Sequence, residues 1–242
     1  MNQIRPIRTH IGLGDTIIQA GLFVELYKRE GPIAIPAYYK YAHSVRSIFK
    51  NYPQIEVYTL PHENGWDFGS PPDTIYDEYQ SKAGYDTKNE IRLGVYHSDI
   101  GEDFTKSFYR QSDVDYSKRW DSDPTPIAAT LYDIQWEWIN RINRHLIHDD
   151  LERGYKITKM VNRNICATAG GNYPMAGSIL SYSNLIKTAR KICVIDSCFF
   201  HLVESLYEYL DPECDLQLHQ YARWPRRMDF RFESKLNWNY IK

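Results

Sequence analysis

A short motif near the N-terminus combines glycines with an acidic residue. In the stretch RTHIGLGDTII, Gly12 and Gly14 stand directly before Asp15, and an apolar helical pattern begins there. Glycines let the backbone turn tightly after a strand, and a carboxylate at the carboxyl end of a parallel strand can act as a general base. The alternative is an N-cap, in which the Asp15 carboxylate accepts a free backbone N–H at the start of the helix.

A second motif repeats this arrangement in the other half of the chain. In VIDSCFFHLVESL, Asp196 follows an apolar run, Ser197 begins a helical pattern and His201 lies one turn further on. Backbone N–H groups at the start of such a helix suit a phosphate group. Capping by Asp196 and packing of His201 within the helix are the structural alternatives. One strand-end acid in each half predicts a ligand cleft between two domains.

Alternating strands and helices are predicted to hold both motifs. In the first half, apolar periodicity predicts strands at 4–11, 33–35 and 55–60, with helices at 15–30 and 38–51. This alternation is typical of an α/β fold with a parallel, doubly wound sheet. The second half repeats it, with strands at 145–150, 164–168 and 192–196 and helices at 177–191 and 197–210. Further predictions are a helix at 73–83, a strand at 91–95 and a helix at 127–142.

The composition is that of an ordinary globular protein. Of 242 residues, 43% are hydrophobic and 25% charged, and the net charge of -2 gives no overall attraction to nucleic acid or membranes. No apolar run approaches the roughly 18 residues that span a bilayer, and the first residues lack a secretory signal pattern. The four cysteines form no Cys-x-x-Cys pair, so neither a zinc site nor a disulfide is demanded. We therefore expect a cytoplasmic protein.

The two motifs together resemble those of a known enzyme family. The stretch HIGLGDTIIQAGLFVEL is similar to the N-terminal motif of the bacterial heptosyltransferase-type glycosyltransferases, in which Gly-x-Gly-Asp opens the first helix. The stretch LIKTARKICVIDSCFFHLVESL resembles their C-terminal motif, in which a helix and a strand lead to Asp-(Ser/Thr)-x-x-x-His-Leu. The resemblance implies a B-type glycosyltransferase. Two Rossmann-like domains would face each other across a cleft, with 1–143 on the acceptor side and 144–242 binding a nucleotide sugar.

The resemblance also implies roles for individual residues. Asp15 would be the catalytic base that deprotonates the acceptor hydroxyl. The nucleotide-sugar donor would contact a larger set from both motifs, a charged loop and a glycine pair: Gly12, Gly14, Arg153, Lys156, Gly170, Gly171, Asp196, Ser197 and His201. Arginine and lysine suit the diphosphate of the donor. For Arg153 and Lys156 the alternative is a solvated charged loop, and for Gly170 and Gly171 it is an ordinary turn. No metal ion or other cofactor is expected, since enzymes of this type generally need none.

Two Asp-x-Asp patterns compete with the metal-free interpretation. They are Asp113/Asp115 and Asp121/Asp123, and carboxylate pairs of this kind can hold a divalent cation. The surrounding segment is rich in acids, so both patterns also arise from composition alone.

A basic, aromatic segment near the C-terminus bears on the acceptor. Arg223, Trp224, Arg226 and Arg227 combine side chains that pair with phosphates and stack on bases, or they pack across the domains. The resemblance implies a glycan as the acceptor. It also allows a hydroxymethylated pyrimidine in phage DNA, because small phage enzymes that glycosylate such bases are B-type as well, and the basic, aromatic segment is compatible with them. A phage enzyme would work in the host cytoplasm. The alternative function is a module that binds a nucleotide or a sugar without chemistry.

Overall fold

The computed structural model describes residues 4–61, 71–94, 104–121, 144–151, 154–159, 178–222 and 232–242, and the backbone of 167–169. The chain separates into two compact units, Met1–Pro124 (unit 1) and Thr125–Lys242 (unit 2). The sequence places the boundary at 143/144. The segment 122–143 lies outside the described residues, so that boundary stays a prediction.

Unit 1 is built on a four-stranded sheet in which all neighbours run parallel. Its strands are β1 (Arg5–Arg8), β2 (Ile33–Tyr38), β3 (Ile55–Leu60) and β4 (Ile91–Arg92), in the spatial order β3-β2-β1-β4. Its helices are α1 (Leu13–Ile18), α2 (Ala20–Glu30), α3 (Ala42–Ile48), α4 (Asp73–Lys82) and α5 (Phe104–Gln111). The chain places β2 and β3 on one side of β1 and β4 on the other, so the strand order reverses beside β1.

The first strand and the first helix differ from their predicted bounds. β1 ends at Arg8, and the helix predicted over 15–30 begins at Leu13 and is interrupted at Gln19. The backbone N–H of Gln19 still donates to the backbone oxygen of Asp15 at 3.0 Å, and the side-chain amide of Gln19 donates to the same oxygen at 3.1 Å. The predicted buried face is confirmed, because its members are at most 1% exposed: Ile17, Ile18, Leu22, Phe23 and Leu26.

The second strand is longer than the predicted 33–35 and runs through Pro36 to Tyr38. Pro36 has no N–H to donate, but β2 pairs with β1 only at Ile33 and Ala34. The missing donor therefore removes no bond to β1. The helix predicted over 38–51 accordingly starts later, as a 3₁₀ turn at Tyr39–Tyr41 followed by α3.

Unit 2 contains a five-stranded parallel sheet. Its strands are β5 (His145–His148), β6 (Ala167–Ala169), β7 (Lys191–Val194), β8 (Asp215–His219) and β9 (Asn239–Ile241), in the order β6-β5-β7-β8-β9. The described helices are α6 (Ser183–Thr188) and α7 (Cys198–Ser205), with 3₁₀ turns at Ile179–Tyr182 and Tyr207–Tyr209. The helices predicted at 177–191 and 197–210 are thus each broken into a 3₁₀ and an α segment.

The predicted α/β class with parallel sheets is confirmed in both units. Strands are found where the patterns at 55–60, 145–150 and 192–196 predict them, while β8 and β9 were missed. β4 covers only two residues of the predicted 91–95, and the helix predicted at 127–142 lies outside the described residues. Within the described part of the chain, no helix combines the length and the apolar character needed to cross a bilayer.

Candidate functional site

The Gly12–Asp15 motif lies at the carboxyl end of β1. Residues 9–12 connect β1 to α1, and β1 stands between β2 and β4, where the strand order reverses. In open α/β sheets, the crevice outside the carboxyl ends of the strands at such a reversal is the usual ligand site. The structure therefore places the motif where a ligand site is expected in unit 1.

Asp15 is the third residue of α1, and the N-cap position is taken by Gly12. The predicted N-cap role of Asp15 is wrong for this reason. The carboxylate nevertheless folds back over Gly12, because a Cβ added at Gly12 would lie 2.6 Å from Asp15 Oδ2. Gly12 has φ -59° and ψ 142°, which other residues adopt freely, so the glycine provides space and not the tight turn that we predicted. Gly14 lies within α1.

Buried polar contacts hold the backbone of Asp15 in place. The Thr9 hydroxyl donates to Gln19 Oε1 at 2.6 Å, and Gln19 Nε2 donates to the Asp15 backbone oxygen at 3.1 Å. The Tyr76 hydroxyl donates to the backbone oxygen of Thr9. Thr9 and Gln19 are at most 2% exposed, so these bonds are shielded from water and rigidify the loop. Sequence reasoning missed Gln19, although a polar residue within a buried helical face was the available signal.

Arg8, the last residue of β1, forms an ion network that the sequence did not reveal, in which the side chains of Arg8 and Glu90 are buried and those of Asp73 and Asp77 are exposed. Its guanidinium contacts Glu90 at 2.8 Å, Asp73 at 2.7 Å and also Asp77. Burial by itself lowers the pKa of Arg8, but hydrogen bonds to Glu90 and the two aspartates raise it overall. Arg8 and Asp77 also line an open cavity of about 550 Å³, whose other lining residues are Ser81, Tyr85, Asp86, Thr87, Lys88 and Arg92. The network joins the end of β1 to α4 and to Glu90, the residue before β4.

In unit 2, Asp196 and Ser197 follow β7 as predicted, and α7 begins directly after them. The Ser197 hydroxyl caps α7 by accepting from Phe199 N at 3.3 Å, and it lies 3.2 Å from His148 Nδ1. The His148 ring in turn stacks on Phe199, with centroids 4.1 Å apart. The structure thus brings Ser197 together with the end of the neighbouring strand β5.

His201 is packed inside unit 2. It is 4% exposed, and its ring stands edge-on to Phe200 at 5.0 Å and to Phe232 at 5.9 Å. These contacts are those of a core histidine, the structural alternative weighed above. Its role at the donor stays a prediction.

Asp149 and His219 extend the polar edge of unit 2 and were not singled out from the sequence. Asp149 follows β5, is 3% exposed and accepts from Ile157 N at 2.8 Å. His219 ends β8, is fully buried, and neither ring nitrogen has a hydrogen-bond partner within the described residues. Burial, and to a lesser extent Lys191, lower the pKa of His219 to about 4, so this histidine is neutral at pH 7. The signal was a polar residue directly after each apolar strand, as in HLIHDD and LQLHQ.

The remaining predicted donor contacts are only partly described. Lys156 is exposed, in a segment held against the end of β8 because Tyr221 Oη accepts from Thr158 N and Lys159 N, both at 2.8 Å. The other members of the predicted donor and tail sets lie outside the described residues: Arg153, Gly170, Gly171, Arg223, Trp224, Arg226 and Arg227.

The Asp-x-Asp patterns have local roles where they are described. Asp115 caps the 3₁₀ turn Tyr116–Trp120 by accepting from Ser117 N at 2.7 Å, and Asp121 pairs with Lys118 at 2.7 Å. Asp113 is exposed, and Asp123 lies outside the described residues. Across the described ranges, no three acidic, histidine or cysteine side chains come together as metal ligands.

Comparisons with known proteins agree with the fold. No protein-family model and no curated protein matches the sequence. Among solved structures, a glycosyl transferase family 9 protein from Veillonella parvula is similar with a TM-score of 0.50 and 10% identity, over 90% of this chain and 81% of that one. The E. coli heptosyltransferase WaaC with ADP-2-deoxy-2-fluoro heptose gives a TM-score of 0.41 and 9% identity, over 90% and 88%. The first similarity shows that this α/β protein with two parallel sheets shares its fold with a family 9 glycosyl transferase.

Proposed function

We propose that the chain is a glycosyltransferase that moves a sugar from a nucleotide-sugar donor to an acceptor hydroxyl. The observation that carries the proposal is the placement of Asp15. Its partly buried carboxylate lies at the strand-order reversal of unit 1 and is accommodated by Gly12. The two sequence motifs support the same class, and the shared fold does so as an analogy.

In the proposed reaction Asp15 is the general base. The acceptor oxygen attacks the anomeric carbon of the donor sugar, and the bond from that carbon to the diphosphate breaks. The nucleoside diphosphate leaves with the bonding electrons, and the acceptor proton passes to the Asp15 carboxylate. A backbone held by Thr9 and Gln19 keeps this carboxylate oriented before the acceptor arrives.

The donor is proposed to bind at the carboxyl edge of the sheet in unit 2. Asp196 and Ser197 follow β7 there, and the exposed ammonium of Lys156 suits the diphosphate. The same proposal includes the residues that only the resemblance suggests: Gly12, Gly14, Arg153, Gly170, Gly171 and His201. We propose that no metal ion is needed.

The charge of unit 1 favours a glycan over DNA as the acceptor. Unit 1 carries 14 Lys and Arg against 18 Asp and Glu, a net charge of -4. DNA binding draws its affinity from basic side chains that neutralise phosphates. A hydroxymethylated pyrimidine in DNA is the second candidate, because unit 2 carries 15 basic against 13 acidic side chains, a net charge of +2, and includes the basic 223–227 segment.

The test is release of nucleoside diphosphate from a panel of nucleotide sugars, with a glycan library, hydroxymethylcytosine DNA, plain DNA or no acceptor. We expect Asp15→Asn to lower acceptor-dependent release about 10²- to 10⁴-fold, the range for a lost general base, with donor affinity unchanged by calorimetry. The matched control is Asp113→Asn, which alters an exposed aspartate. Full transfer by Asp15→Asn would refute the base assignment. Donor binding without release for any acceptor would support a binding module.

A further inference from the structure

An exposed aromatic side chain stands at the carboxyl edge of the sheet in unit 1. Tyr39 follows β2 directly and is 78% exposed, whereas Tyr38 before it is 5% exposed. Tyr39 thus forgoes most of the stabilisation that burying a large aromatic side chain contributes. A rigid ring left in water at the ligand edge of an α/β sheet is well suited to contact a ligand.

The same core cluster supports Tyr39 and the Asp15 loop. Ile11, the residue before Gly12, is buried in one cluster with Tyr38, and Tyr41 packs against that cluster. The rings of Tyr38 and Tyr41 stand edge-on at 6.3 Å. Tyr39 therefore begins a short 3₁₀ turn that is anchored to the core carrying the Asp15 loop by Tyr38 before it and by Tyr41 at its end. Since β1 and β2 are adjacent and parallel, both loops lie at one edge of the sheet.

We propose that Tyr39 is the platform on which an acceptor sugar ring stacks, so that one of its hydroxyls lies beside Asp15. This inference rests on the proposed function. The C–H groups on the less polar face of a pyranose carry slight positive charge, and the face of an aromatic ring is negative, so the two attract. Lys40, whose ammonium lies 4.9 Å from the Tyr41 ring centroid, places a cation beside the platform for polar groups of the sugar.

A sugar suits this platform better than a nucleic-acid base. A base would stack on the same ring, but the phosphates attached to it would approach a unit with a net charge of -4. A glycan brings no such obligatory charge. Tyr39 is thus proposed to select the acceptor, and it contributes to acceptor affinity more than to the chemical step.

Kinetics of three variants test the platform. Tyr39→Ala is expected to raise the KM for the acceptor about tenfold or more, while Tyr39→Phe, which keeps the ring, stays near wild type. The KM for the donor and the slow hydrolysis of the donor without acceptor should not change. Tyr209→Ala is the control, because Tyr209 is an exposed tyrosine of unit 2. An unchanged acceptor KM in Tyr39→Ala would overturn the proposal while leaving the glycosyltransferase function intact.

A binding measurement tests, without turnover, whether a sugar ring stacks on Tyr39. In the full chain, 3-fluorotyrosine is placed at position 39, or at 209 as a control, and its fluorine resonance is followed during titration with methyl pyranosides at millimolar concentrations. We expect the label at 39 to shift with at least one pyranoside and the label at 209 not to shift. No shift at 39, or a shift only with 5-hydroxymethyl-2′-deoxycytidine, would refute the sugar platform. A shift at 39 in a chain that turns over no donor would keep the platform and refute the transferase.

Discussion

Replacing Gly12 by alanine moves the Asp15 carboxylate without removing it. An added Cβ would lie 2.6 Å from Asp15 Oδ2, whereas ordinary contact begins at 3.4 Å, so the oxygen must retreat by about 0.8 Å. The backbone at Gly12 is in a region that alanine adopts without strain, and the group that must move is the end of a flexible side chain. Stability should therefore change little: compatible Gly→Ala changes typically stabilise by about 0.4–1 kcal/mol, and the poorer N-cap that alanine makes for α1 offsets this.

The effect on the proposed reaction should be much larger. A misplacement of about 1 Å in a reacting geometry costs roughly 10²-fold in rate, which corresponds to about 2.7 kcal/mol of transition-state stabilisation. We expect kcat for acceptor-dependent nucleoside diphosphate release to fall by about that factor in Gly12→Ala, with donor affinity and Tm retained. Gly84→Ala is the control for kcat only: a Cβ there has no neighbour within 4 Å, but alanine at its φ of +78° is strained and is expected to lower Tm.

Two outcomes of this experiment would contradict the reasoning. Wild-type kcat in Gly12→Ala would show that the observed position of the Asp15 carboxylate does not matter to the reaction. A large fall in Tm alongside the fall in kcat would show that the alanine disturbs the loop itself and not only the carboxylate.

The remaining predictions concern stability. The pKa of His219 falls from 6.5 to about 4 on folding through burial, so between these pH values the unfolded chain binds the extra proton and the folded chain does not. The free energy of unfolding should therefore drop by about 2 kcal/mol from pH 7.5 to pH 5, and His219→Leu should remove that part of the drop in urea titrations. An equal pH dependence in both proteins would contradict the burial of a neutral histidine. A Cβ at Gly21 would lie 1.6 Å from the backbone oxygen of Lys118, so Gly21→Ala should destabilise by about 1–3 kcal/mol or more in thermal unfolding. An unchanged Tm would show that the 3₁₀ turn at Tyr116–Trp120 does not pack on α2 this closely.

Features set by neighbouring residues were predictable from the sequence. The predicted end of the first helix at residue 30 is confirmed, because α2 ends at Glu30 and Gly31 takes the positive φ of 85° that glycine tolerates. The start of α7 after Ser197 is confirmed for the same kind of reason, since a serine hydroxyl caps a helix two residues on. Apolar runs and helical spacing likewise predicted most strands and the parallel α/β class.

Features set by distant residues needed the tertiary structure. In the sequence, Arg8 is only a charged residue at the end of a predicted strand. Its partners Asp73, Asp77 and Glu90 lie 65 to 82 positions further along the chain. His219 ends a strand, β8, that lies between β7 and β9, and β9 comes from residues 239–241, about 20 positions further along the sequence. Most strands and helices, and the acid that follows β1 near its carboxyl end, could be predicted from the sequence alone. The tertiary structure decided how that acid is held, because strand order, burial and ion pairing arise from contacts that no local pattern encodes.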